Sequence, residues 1–227
     1  ESFAGRFTDD PGVGFLRAAL AYADDQLGID EDAFLSELVQ ASLGSNYPTP
    51  PRMLEHAEQI VSRYLQQEMD DPTGRFSLFA TEGGTAAMTY LFQSLFANGL
   101  LHSGDKIAIG TPIFSPYLEI PVLPGYDLEV VDVRLSQDAD WQYPDEELEK
   151  LADPAVKVFC LVNPSNPPST RLTDERLHAI AELIRTRRPD LIVITDDVYG
   201  TFADDFTSLF AVAPANTILV YSFSKFF

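Results

Sequence analysis

From about residue 76 onward, short apolar runs alternate with helix-patterned stretches, and this alternation constrains the fold of the 227-residue chain more than any other feature. The runs are Phe76–Phe79, Lys106–Ile109, Leu128–Val133, Val156–Val162, Leu191–Thr195 and Thr217–Tyr221. Several are apolar at consecutive positions, so both of their faces need cover, as in parallel strands flanked by helices. Helices are predicted between them at Thr85–Asn98, Asp145–Leu151 and Thr173–Arg187. The last has Asp174 and Glu175 in its first turn and Arg185 and Arg187 in its last, which complements the helix dipole. Together these elements predict an α/β fold, a three-layer domain around a mainly parallel sheet.

Upstream the pattern is helical only. Phe15, Leu16, Ala19, Leu20, Ala23 and Leu27 repeat at helical spacing, as do Phe34, Leu35, Leu38 and Val39 ahead of Gly44, which suits a helix end. The turn-rich segment Gly44-Ser-Asn-Tyr-Pro-Thr-Pro-Pro51 then leads into a helix predicted from about Arg52 to Met69. The chain therefore divides into an N-terminal helical segment with a crossing loop, 1–50, and a main domain, 51–227.

A content of 45% hydrophobic and 11% aromatic residues is enough to bury a sizeable core. The formal charge of -20 argues against nucleic acid or an anionic membrane surface as partner, because phosphate contacts need clustered Lys and Arg. There is no apolar run of about 18 residues that would span a bilayer. Cys160, the lone cysteine, lies in the apolar run Val158-Phe-Cys-Leu-Val162 and reads as a buried thiol, which suits the cytoplasm. His56, His102 and His178 show no ligand spacing, so no metal site is expected.

In an open α/β sheet, ligands bind outside the carboxyl ends of the strands, and four motifs fall there. Thr81-Glu-Gly-Gly-Thr-Ala-Ala87 opens a helix, where free backbone N–H groups and the Thr85 hydroxyl suit an anion; a tight packing turn is the plainer alternative. Asn163-Pro-Ser-Asn-Pro-Pro168 holds the Asn166 amide on a proline-stiffened loop, unless it is an ordinary Asn-Pro turn. Asp196 and Asp197 end an apolar strand ahead of Tyr199; Asp196 is placed to pair with a buried cation, and Asp197 takes a structural role. A metal ligand and a helix cap are the competing readings for this acidic pair. Tyr221-Ser-Phe-Ser-Lys225 leaves the last strand with a lysine whose apolar surroundings would suit Schiff-base chemistry, although a lysine in such a place is commonly solvated.

In this order, Gly-Gly-Thr, Asn-Pro-x-Asn-Pro, Asp-x-x-Tyr and Ser-x-x-Lys resemble the class I and II aminotransferases, enzymes of the aspartate aminotransferase fold that use pyridoxal 5'-phosphate (PLP). The resemblance implies that Gly83, Gly84, Thr85 and Ser222 hold the cofactor phosphate and that Lys225 binds the cofactor covalently. It further implies that Asp196 pairs with the pyridine nitrogen and that Asn166 and Tyr199 hydrogen-bond the ring hydroxyl oxygen. Phe114, in Pro112-Ile-Phe114, would stack on the ring, where relatives have Trp or Tyr, and Tyr47 would reach a partner subunit's phosphate. Lys225, Tyr199 and Asp196 are the implied catalytic residues.

Longer runs are similar to the aspartate 4-decarboxylases: Tyr47-Pro-x-Pro-x-Arg-Met-Leu54, Glu82-Gly-Gly-Thr-Ala-Ala-Met-Thr-Tyr90, Asp140-Trp-Gln-Tyr143, Leu161-Val-Asn-Pro-Ser-Asn-Pro-Pro-Ser169 and Thr195-Asp-Asp-Val-Tyr-Gly-Thr-Phe-Ala-Asp-Asp-Phe206. Ordinary aspartate aminotransferases usually have Gly where this chain has Pro168 or Ser169. That resemblance implies conversion of L-aspartate to L-alanine and carbon dioxide, a side aminotransferase activity, and a homodimer that can build larger homo-oligomers. It also implies further sequence on both sides of this chain, including a small domain that completes the substrate site. An aminotransferase for aspartate or a related amino acid is the second reading, and a non-catalytic PLP-binding regulatory domain is a distant third.

Overall fold

The structure, a computed structural model, describes residues 11–42 and 53–225. The chain forms two compact units, Glu1–Tyr64 with Arg75–Ala80, and Leu65–Gly74 with Thr81–Phe227.

In the first unit, α1 (Pro11–Leu27) and α2 (Glu31–Ser42) form the predicted helical pair. Gly28, at φ +64, ends α1: its N–H bonds Asp24 O and the next N–H, of Ile29, bonds Ala23 O, which closes the helix in a left-handed cap. Asp30 then caps α2 by accepting the Ala33 N–H at 2.7 Å. Leu20, Ala23 and Ile29 are the buried side chains of this turn. The helix predicted from about Arg52 is α3 (Glu55–Glu68). The segment Gly44–Pro51, and with it the proposed boundary near residue 50, lies outside the described residues.

The second unit holds α4 (Gly84–Ala97), β1 (Lys106–Thr111), α5 (Pro116–Glu119), β2 (Glu129–Arg134), α6 (Asp145–Leu148), β3 (Val156–Val162), α7 (Asp174–Arg187), β4 (Ile192–Asp196), α8 (Leu209–Val212) and β5 (Thr217–Val220). The five strands pair parallel throughout in the order β2-β1-β3-β4-β5. Alternate side chains feed two separate cores, as the pleat of a strand requires. Ala108, Phe159, Leu161 and Val193 join one cluster with Leu148 of α6, Leu177 and Ile180 of α7 and Leu209 of α8. Ile107, Ile109, Val158, Cys160 and Ile194 join the other with Met88 and Phe92 of α4 and Tyr117 of α5. Two cores on one sheet make the three layers expected from doubly apolar strands. Between β1 and β3 the register shifts at Lys106/Ile107, where Lys106 pairs with Val156 and Ile107 with Val158.

Two sequence expectations need correction. Phe76–Phe79 has the composition of a strand but belongs to no strand of the sheet, because β propensity depends on context and composition alone does not make a strand. The helix predicted at Asp145–Leu151 is α only as far as Leu148 and then tightens into a 3-10 turn over Glu149–Ala152. Helix α7 forms as read, with Thr173 as N-cap accepting the Arg176 N–H at 3.3 Å.

Candidate active site

The strand order reverses direction between β1 and β3, and at such switch points in open α/β sheets the loops splay apart and leave a crevice. Val162, Asp196 and Val220 stand in one row across the ends of β3, β4 and β5. The loops carrying Asn166, Tyr199 and Ser222–Lys225 therefore leave the sheet at one level. They meet the start of α4 and the turn into α5 around a cavity of about 180 Å³.

That cavity is lined by Gly84, Thr85, Met88, Phe114, Pro116, Tyr117, Val162, Asn166, Asp196, Val198, Tyr199, Val220, Ser222, Ser224 and Lys225. The residues drawn from four separate motifs thus share one site. Gly83 does not line it: it is the N-cap of α4, at φ +136, a backbone setting that favours glycine. No side chain caps that helix, and the Thr81 hydroxyl donates to Gly83 O at 3.1 Å, tying the loop. The first N–H groups of α4 are consequently left for a ligand. Tyr47 lies outside the described residues.

Asp196 is the electrostatic centre of the cavity. Its Oδ2 accepts the Tyr117 hydroxyl at 2.7 Å and its Oδ1 accepts the Val198 N–H at 3.1 Å. Burial pushes its carboxyl above the ordinary range, opposed by these two hydrogen bonds. A cation brought against this carboxyl would favour its charged form. Asp197 is fully buried and does not line the cavity. It accepts the hydroxyls of Thr195 and Ser208, so it neither caps a helix nor faces a ligand.

Of the two settings open to Lys225 in the sequence, apolar or solvated, the described chain shows the second: the residue is exposed. Its availability is nevertheless distinctive. Lys106 pairs with Glu129 and Asp153, Lys150 with Glu147, and Lys157 donates to Pro154 O. Lys225 has no such partner among the described residues and lines the cavity that contains Asp196. The Asn166 amide and the Tyr199 hydroxyl are likewise without hydrogen-bond partners among the described residues, and both also line a neighbouring cavity of about 560 Å³ with Arg171 and Phe202. Phe114 is 46% exposed, which excludes the role of a core aromatic.

Two polar lining residues escaped the sequence reading. Ser224 stands beside Ser222, whose hydroxyl donates to it at 3.0 Å; the pattern Ser-x-x-Lys selects only the first serine. Tyr117 meets Asp196 across 79 positions of sequence, and no local pattern announces that contact.

The description "Aminotransferase class I and II" matches the chain over residues 31–227. The chain belongs to the class I and II aminotransferase family. Within it, the chain is 54% identical, over its whole length, to the bifunctional aspartate aminotransferase and L-aspartate beta-decarboxylase of a Pseudomonas species, and covers 43% of that protein. The chain thus spans less than half the length of this curated relative. Among solved structures, a Thermus thermophilus aspartate aminotransferase tetra mutant superposes with a TM-score of 0.67 at 22% identity, over 82% of this chain and 50% of that one. Cystalysin from Treponema denticola, whose structure contains pyridoxal 5'-phosphate, superposes with a TM-score of 0.63 at 17% identity, over 82% of this chain and 47% of that one. These superpositions establish the aspartate aminotransferase-like fold, in agreement with the α/β three-layer reading.

Proposed function

We propose that the chain is the cofactor-binding part of a PLP enzyme that converts L-aspartate to L-alanine and carbon dioxide, with a side aminotransferase activity. The observation that carries this reading is 54% identity, over the whole chain, to a protein named for both activities.

The residues of the cavity fit the cofactor. The uncapped start of α4 offers N–H groups to a phosphate, with the hydroxyls of Thr85 and Ser222 beside them. Asp196, a half-buried carboxyl on the cavity wall, suits the proton of a pyridine nitrogen. Asn166 and Tyr199 have donors without partners among the described residues for the ring hydroxyl oxygen, and Phe114 offers an aromatic face. Gly83 holds the turn that aims α4, and Lys225 supplies a free amine. When bound, PLP supplies an electron sink for the pair released when a bond near the substrate's α-carbon breaks.

The chain's own residues then have separable tasks. Lys225 would hold the cofactor and, when its amine is free, would be the base that takes and returns the α-proton of the substrate. Asp196 would favour the protonated form of the ring nitrogen. Tyr199 and Asn166 would orient the ring by hydrogen-bonding its hydroxyl oxygen. A partner subunit is proposed to bring Tyr47 to the phosphate, which makes a homodimer the smallest working unit and allows larger homo-oligomers. The buried thiol of Cys160 supports a cytoplasmic setting, and no described helix is long and apolar enough to cross a membrane. Neither nucleic acid nor membrane is proposed as a partner of a chain with charge -20.

Borohydride reduction of the PLP-loaded protein followed by peptide mass mapping tests the site. A pyridoxyl group on Lys225 is expected; its absence, or its presence on Lys106, Lys150 or Lys157 instead, contradicts the assignment.

A further inference from the structure

The hydroxyl of Tyr117 donates to Asp196 Oδ2 at 2.7 Å, while Asp196 Oδ1 accepts the Val198 N–H at 3.1 Å. Both carboxylate oxygens are therefore tied, and the group cannot rotate freely. Tyr117 itself is 2% exposed and belongs to the core cluster that includes Met88, Ile113 and Cys160, so its ring is fixed by packing. Burial and the neighbouring Asp196 hold its phenol well above the usual range, which keeps it a donor.

We propose, resting on the PLP reading above, that Tyr117 is a positioning residue that keeps the proton shared by Asp196 and the cofactor's ring nitrogen on the nitrogen. The physical reason is a competition. In a dry site, a carboxylate beside a pyridinium competes with a neutral carboxyl beside a neutral pyridine, and low dielectric favours the uncharged pair. A hydrogen bond donated to the carboxylate stabilises its charged form more than its neutral form. Tyr117 therefore tips the pair toward the pyridinium, the form that accepts electrons best.

The other groups near this pair do not duplicate the effect. Asp197, next along the chain, is engaged with Thr195 and Ser208. Cys160 of β3 has its thiol pushed up to about 12 by burial and stays neutral. Tyr199 and Lys225 line the same cavity but make no hydrogen bond to Asp196.

The test uses the complete protein loaded with PLP labelled with 15N in the ring, read by 15N NMR. In the wild type the ring-nitrogen signal should lie near, but short of, the fully protonated value. In Tyr117→Phe, which keeps the ring and removes only the hydroxyl, the signal should move toward the unprotonated value. The same variant should lose about tenfold or more in kcat, the equivalent of one charge-assisted hydrogen bond, with KM for the amino acid changed only about twofold. Placing 3-fluorotyrosine at position 117 retains packing and strengthens the donor, so the signal should move further toward the fully protonated value; this arm stands if the phenylalanine variant does not fold. A ring-nitrogen signal unmoved in both variants overturns the proposal and leaves the PLP reading intact. A wild-type protein that takes up no cofactor overturns both.

Discussion

Asp196 and Asp197 are neighbours in sequence, yet one lines the cavity and the other is sealed beneath it. Asp196 accepts hydrogen bonds from Tyr117 and Val198 at the cavity wall. Asp197 is fully buried, with the hydroxyls of Thr195 and Ser208 on its two oxygens. Ser208 in turn caps α8 by accepting the Phe210 N–H at 3.0 Å. One carboxyl is thus exposed to a ligand and the other braces the loop that presents it.

The buried member gives a pH dependence. Burial, the largest influence, raises the Asp197 carboxyl from its ordinary value to about 7, so the folded state binds its proton more tightly than the unfolded chain does. Its contribution to stability is therefore fully present below about pH 4 and is lost as the pH rises toward about 7. Urea unfolding of the cofactor-free protein across pH 4–8 should show this decline in the wild type. In Asp197→Asn, which cannot ionise, that component of the decline should disappear.

Arg188 supports the second unit from inside. Although 3% exposed, it donates to Leu151 O, Asp153 O and Val156 O and pairs with Asp190 at 2.9 Å. Removal leaves three carbonyl groups short of a donor at the start of β3. Arg188→Ala should lower stability by about 3 kcal/mol or more, and Arg188→Lys should recover only part of it, because one ammonium cannot span the fork of contacts. Chemical denaturation midpoints of the two variants check this.

Much of this architecture was legible because its strands carry their signal locally. The runs ending at Val162, Thr195 and Tyr221 are apolar on both faces, and only a sheet covered on both sides buries them. The cavity residues were legible as a set, since Thr85, Asn166, Asp196, Tyr199, Ser222 and Lys225 each follow a strand or open a helix. Contacts between distant segments were not. Tyr117 gives no sign in sequence that it faces Asp196, and Phe76–Phe79 resembles a strand because composition does not report whether a neighbouring strand is present. The apolar neighbours of Lys225 in sequence left both an apolar and a solvated setting open, and the described chain leaves it exposed.

Ser169 occupies a backbone position in the Asn-Pro loop that suits glycine. It adopts φ +60, a left-handed conformation that glycine takes without strain, and its N–H bonds Ser165 O at 2.8 Å to close the turn. Ser169→Gly should change stability by less than about 1 kcal/mol, because relief of strain offsets the added freedom of the unfolded chain. Ser169→Val should destabilise by about 1–2 kcal/mol, because a β-branched side chain tolerates this region poorly. Thermal midpoints of the pair, compared with the wild type, decide the matter.

The direct measurement of the reaction is proton NMR of the complete protein with PLP and L-aspartate and no added 2-oxo acid. Alanine accumulating well beyond one equivalent per subunit is the predicted result, since β-decarboxylation regenerates the catalyst without an acceptor. Turnover that stops after about one equivalent and resumes only when a 2-oxo acid is supplied would contradict it, and would make the protein an aminotransferase alone.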